Sequence, residues 1–69
     1  MNINMISVDS SSISSIGYKR RTMLVKFLTG RTYQYKKVPR LVFDDFVKSS
    51  SKGAYFNNDI RNSYLEKEV

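Results

Sequence analysis

The sequence predicts a small α+β domain, with a three-stranded antiparallel β-sheet followed by two short helices packed on one face. Three observations carry this. Met23, Val25 and Phe27 alternate with Leu24, Lys26 and Leu28, the period of a strand that buries one face. Thr29-Gly30-Arg31 separates that run from a second alternating one, and Gly30 supplies the positive φ of a tight hairpin turn. Beyond Pro39 the spacing changes, and Val42, Phe43, Phe46 and Val47 form one apolar stripe of a helix.

Taken in order, residues 1–5 are expected to fray, as chain ends do unless tied down. Asp9 and Ser10 to Ser12 favour a capped turn, because their side chains bond nearby backbone N–H groups. A helical turn after Asp9 would put Ile13 and Ile16 on one face; a plain loop is the alternative. The first strand is expected over Ser15–Lys19, where Gly17 marks a bulge or a close backbone approach. Lys19-Arg20-Arg21 is the first turn. The second strand spans Thr22–Leu28 and the third Thr32–Val38. A helix follows from Pro39, at its first position, to Ser49. Ser49 to Ser51 supply an N-cap for a second helix over Ala54–Tyr64, which Asn57-Asn58 would distort. Residues 65–69 are charged and expected to fray. The expected core is Ile16, Met23, Val25, Phe27, Tyr33 or Tyr35, Val42, Phe46, Phe56 and Ile60.

The 69 residues make one domain, and a chain this short buries only about 60% of its unfolded surface. It has no Cys and no His, which removes disulfides, thiolate metal sites and the commonest general acid/base at neutral pH. Asp44 and Asp45 are adjacent on a helix and point roughly 100° apart, so they cannot clamp a substrate or metal together. Ser-Lys chemistry at Ser49 to Lys52 has little specificity. There is no phosphate-binding glycine loop and no calcium loop. The expectation is a non-enzyme without cofactor or metal. The N-terminus lacks the features of a secretory signal, and no apolar run approaches a membrane span. The expected location is cytoplasmic.

The formal charge is +6, and eight of the twelve basic residues fall within residues 19–40, which hold no acidic residue. Clustered positive charge favours polyanionic partners. Nucleic acid, RNA first, is the leading expectation. Arg20, Arg21, Arg31, Lys36, Lys37, Arg40 and Lys52 would meet phosphates, and Tyr33, Tyr35 or Tyr55 would stack a base. Core packing is the stronger alternative for Tyr33 and Tyr35. Successive turns lie at opposite ends of a sheet, so the cations would form two patches. The alternative function is a protein-binding inhibitor or adaptor, for instance phage-encoded, that docks on an acidic protein partner through Leu24, Leu28 and Leu41 ringed by cations. A homo-oligomer through those leucines would also help so small a core.

Five short motifs occur in order: Val8-Asp9-Ser10-Ser11, Ile16-Gly17-Tyr18, Tyr33-Gln34-Tyr35, Val38-Pro39 and Ser51-Lys52-Gly53-Ala54-Tyr55-Phe56-Asn57. On these the chain resembles the KTSC domain, a module of this size also found at the C-terminus of some lysyl-tRNA synthetases. The resemblance runs from about Ile6 to Tyr64 and implies a single domain over residues 1–69. It implies no established activity; attachment to a synthetase suggests RNA binding by association alone. The chain departs from the usual pattern at Lys19-Arg20-Arg21, where acidic or polar residues are frequent. Leu24, Leu28 and Leu41 also occupy commonly polar positions.

Overall fold

The computed structural model describes residues 3–69. One five-stranded antiparallel sheet runs in sequence order, β1 (Met5–Ser7), β2 (Ile13–Lys19), β3 (Thr22–Phe27), β4 (Thr32–Lys36) and β5 (Leu65–Glu68). Between β4 and β5 lie α1 (Arg40–Lys48), α2 (Lys52–Tyr55) and a π-helical turn over Phe56–Ile60. The α+β class and the two-helix cover hold, but the sheet has five strands where three were expected. The extra two are its edges, and they lie largely in the segments expected to fray. Their side chains are all exposed. Backbone pairing to β2 and β4 holds them in place.

β2 begins earlier than expected because of a bulge. Ile13 pairs with Phe27 and Ser15 with Lys26, so Ser14 is an extra residue. Three residues apart in a regular strand, Ile13 and Ile16 would face opposite sides. The bulge lets both reach the core, where neither is more than 1% exposed. The turn before β2 is closed by Ser10, whose Oγ accepts from the N–H groups of Ser12 and Ile13, each at 3.3 Å. The segment is a bend without a helical turn.

Pro39 is the N-cap of α1 and stands just outside the helix, with φ −64° and ψ 147°. The second helix is shorter than expected. After Tyr55 it widens into the π turn, which carries Phe56 and Ile60 into the core, and Asn62 at φ 68° turns the chain toward β5. Ile13, Ile16, Met23, Val25, Tyr35, Val38, Phe43, Phe46, Phe56 and Ile60 form the core between sheet and helices. Ile13, Val38 and Phe43 are additions to the expected set. Phe27, Tyr33 and Val42 are only partly buried against it.

The register sorts every strand residue onto one of two faces. Ile16, Val25 and Tyr33 share a cross-strand row, as do Tyr18, Met23 and Tyr35, and both rows face the helices. The opposite face carries Met5, Gly17, Leu24, Gln34 and Lys67 in one row, with Ser15, Lys26 and Thr32 in the next. Gly17 is the close approach expected of it. A methyl group there would lie 2.6 Å from Ile3 Cγ2 and Met5 Sδ, and 2.9 Å from the Asn4 carbonyl oxygen.

Candidate nucleic-acid interface

The turn between β2 and β3 contains only Arg20 and Arg21, since Lys19 pairs with Thr22. Arg20 has φ 51° and Arg21 φ 65°, the left-handed pattern of the two-residue turn that matches strand twist. Such turns favour Asn and Gly, and each non-glycine residue held there costs about 1 kcal/mol or more. Lys37, at the exit of β4, has φ 59°. The Val38 N–H donates to the Arg21 carbonyl at 2.8 Å, which brings Lys36 and Lys37 beside the arginine turn. Lys19 belongs to the same group. It was legible in the basic run, but its exposure depended on where the strand ended.

Arg40 stands at this end too, already occupied. Its guanidinium carbon lies 5.7 Å from the centroid of Tyr18 and 5.9 Å from that of Phe43. Its Nε donates to Asp44 Oδ1 at 3.1 Å, so its charge is shared with a carboxylate. Beneath it the Tyr18 ring stacks on Phe43 at 5.0 Å, and the Tyr18 hydroxyl donates to the Val38 carbonyl at 2.6 Å.

Arg31 and Tyr33 lie at the other end, as the two-patch expectation had it. They line a cleft of about 550 Å³ with Phe27, Phe56, Arg61 and Glu66. The Arg31 guanidinium is 4.0 Å from Glu68, and the half-buried Tyr33 ring meets Phe27 edge-on at 5.8 Å. Lys52 is in a third place. Its ammonium donates to the Ser49 carbonyl at 2.8 Å and so caps the C-terminus of α1.

The tyrosines do not present base-stacking faces beside the basic turn. Tyr35 is fully buried, and its hydroxyl donates to Glu66 Oε1 at 2.8 Å. Burial first, then that carboxylate, pushes its pKa well above the usual tyrosine value. Tyr55 stacks on Phe46 at 5.5 Å and donates to the Val42 carbonyl at 3.3 Å; burial raises its pKa as well. The packing alternative therefore describes Tyr35 fully and Tyr33 in part.

The three leucines expected to form one docking surface are separated. Leu24 is half-buried on the sheet face away from the helices. Leu28 follows β3 at the far-end cleft, and Leu41 is on α1, 60% and 69% exposed.

The sequence motifs meet in space. Asp9, Ser10 and Ser11 line one polar cleft, of about 260 Å³, with Ser50, Ser51, Lys52 and Gly53. Gly53 leaves room for the Ser12 hydroxyl, 3.2 Å from where its Cβ would lie. The Ile-Gly-Tyr motif touches Val-Pro through Tyr18 and Val38, and Tyr-Gln-Tyr supplies the buried Tyr35. Each motif thus has a place in the architecture.

The family model of the KTSC domain matches residues 9–64. The chain belongs to the KTSC domain family. A KTSC domain protein of Yersinia pestis, solved by crystallography, is 33% identical and superposes with a TM-score of 0.95 over 99% of each chain. A protein of Tsukamurella paurometabola is 36% identical over 83% of this chain and 88% of its own. A lysine–tRNA ligase of Nostoc punctiforme is 32% identical over 87% of this chain, which is only 11% of the ligase. In this KTSC domain, no helix among the described residues is long and apolar enough to cross a membrane. No cluster of acidic side chains there could hold a metal ion.

Proposed function

We propose that this KTSC domain is a non-enzymatic nucleic-acid-binding module, with RNA as its first target. The observation that carries the reading is the grouping of Lys19, Arg20, Arg21, Lys36 and Lys37 at one end of the sheet. Among the described residues, four non-glycine positions have positive φ, and three of them are Arg20, Arg21 and Lys37. Cations therefore occupy backbone positions that a stability-driven sequence would fill with Gly or Asn. Strain of this kind gathers at functional sites. The likeness to part of a lysine–tRNA ligase favours RNA among the polyanions.

Binding rests on phosphate contacts, so it is steeply salt-dependent. The test is a titration of labelled single-stranded RNA, tRNA and duplex DNA at two salt concentrations, with heparin as a charge control. It is repeated with Arg20→Gln/Arg21→Gln/Lys36→Gln/Lys37→Gln, which lowers the net charge from +6 to +2 (6 − 4). Binding in the micromolar range or tighter, weakened by salt and lost in the variant, supports the reading. Absence of binding at low salt ends it. Equal binding to heparin and to every nucleic acid reduces it to charge alone.

A further inference from the structure

The strand register sorts the charged side chains of the sheet by face. The charged residues facing away from the helices are Lys19 on β2, Lys26 on β3, Lys36 on β4 and Lys67 on β5. Their cross-strand partners are Thr22, Ser15 and Thr32, Leu65, and Gln34. The acidic residues of β5, Glu66 and Glu68, point the other way, paired opposite Tyr35 and Tyr33. Among the described strand residues, the charged side chains on this face are thus all cationic, and the face adjoins the arginine turn at its edge.

Among the described residues it also carries no aromatic ring. Tyr18, Phe27, Tyr33 and Tyr35 all project to the helix side, packed on or within the core. A protein that reads single strands on a sheet stacks the exposed bases on rings set there. Here such stacking has no platform. What remains is a set of ammonium groups spread over the sheet around Met5, Leu24 and Leu65. Neighbouring strands lie about 4.8 Å apart, so Lys19 and Lys36, two strands apart, are separated by about 10 Å. Lys26 lies four residues along from Thr22, about 13 Å. The ammonium groups are thus set about 10–13 Å apart, spread in two directions over the sheet and not along a single line. RNA helices are recognised largely by shape and through the sugar-phosphate backbone.

We infer that the occupant of this face is a helical stretch of nucleic acid, an RNA stem first, held through its phosphates by Lys19, Lys26, Lys36 and Lys67 together with the arginine turn. The inference rests on the nucleic-acid reading above and adds the duplex class and two residues outside the basic run's turn, Lys26 and Lys67.

The experiment compares an RNA duplex of about 16 base pairs, the length that double-stranded RNA modules span, with its separate strands. The proteins are wild type, Lys26→Gln/Lys67→Gln and Lys48→Gln/Arg61→Gln. The last removes the same charge from the helix side. The wild type is expected to bind the duplex at least tenfold more tightly than either strand. The face variant should lose about tenfold in duplex affinity, with its salt slope reduced by about 2, one for each phosphate contact removed. The helix-side variant should stay within about twofold of wild type. Equal or tighter binding to single strands overturns the inference, and so does an equal loss in both double variants. If the quadruple turn variant abolishes binding while the face variant leaves it intact, the inference falls and the nucleic-acid reading stands. If nothing binds at low salt, both fall.

Discussion

The Val38 N–H donates to the Arg21 carbonyl at 2.8 Å, so the exit of β4 is fastened to a turn held in a left-handed backbone conformation. The turn cannot relax into another shape without breaking that bond. Arg20 and Arg21 keep positive φ although their side chains disfavour it. Replacing them with the pair that such turns prefer, Arg20→Asn/Arg21→Gly, should raise stability by about 1–2 kcal/mol. For a domain of this size that is a rise in Tm of about 4–8 °C per kcal/mol. The same variant removes two cations from the proposed interface and should bind nucleic acid less tightly. Thermal unfolding and a binding titration on one preparation check both; a fall in Tm would show that the arginines are favoured at the turn for packing.

Lys52 separates a structural role from a binding one. The Lys52→Met variant keeps the aliphatic stem but removes the donor to the Ser49 carbonyl. It should lower unfolding stability by about 1.5 kcal/mol, the low end for a hydrogen bond that involves a charged group. Nucleic-acid affinity should change less than twofold, because Lys52 lies away from the arginine turn. Urea unfolding and the binding titration measure these separately. A large loss of affinity at unchanged stability would return Lys52 to the interface.

Tyr35 makes stability fall in alkali. Its folded pKa lies above the unfolded value of about 10, so the folded state holds the phenolic proton more tightly than the unfolded one does. The contribution is fully present below pH 10. It diminishes as pH rises above the unfolded pKa toward the folded one, by up to about 1.4 kcal/mol per pH unit. Lysines titrate in the same range, so the comparison with Tyr35→Phe isolates the tyrosine. That variant should lose about 1.5 kcal/mol at pH 8 with the hydrogen bond to the Glu66 carboxylate. Its stability should then fall less steeply between pH 9 and 11 than that of the wild type, in urea unfolding series. Parallel slopes would mean that Tyr35 is not the group responsible.

The parts of this fold that were legible are those in which side-chain period tracks burial. β3, β4 and α1 each bury one regular face, and all three were placed within about two residues. β1 and β5 bury none of their side chains, so no apolar period marks them; backbone pairing holds β1 on β2 and, across some thirty residues, β5 on β4. Ile13 was misplaced because the bulge at Ser14 breaks the period of two. At the site, clustering of charge was visible in the chain, and hairpin geometry foretold its division between two ends. The fate of Tyr35 was not visible, because its hydrogen-bond partner Glu66 lies 31 residues away on a strand with no apolar signature. Lys67 was hidden for the same reason.

Gly17 shows how tightly the N-terminal edge is fitted. A Cβ there would overlap Ile3 Cγ2 and Met5 Sδ, which can swing aside, and would crowd the Asn4 carbonyl, which moves only with its backbone. Gly17→Ala should therefore push residues 3–5 off the sheet and leave the buried β2–β4 core intact. Small-to-large changes in packed sites cost about 1–3 kcal/mol. The low end applies here, because β1 is an exposed edge strand that can detach without opening the core. The expected result is a fall in Tm of about 4–8 °C, with faster hydrogen exchange at the amides of Ile6 and Val8, whose N–H groups face β2, and unchanged protection at Val25 and Tyr35. Removing Ile3 and Met5 from the sheet face also opens the row of Leu24 and Gln34 beside Lys67. If that face holds a duplex, the destabilised variant should bind it at least as well as the wild type does. A joint loss of protection in β1 and of duplex affinity would instead make the N-terminal segment itself part of the binding surface.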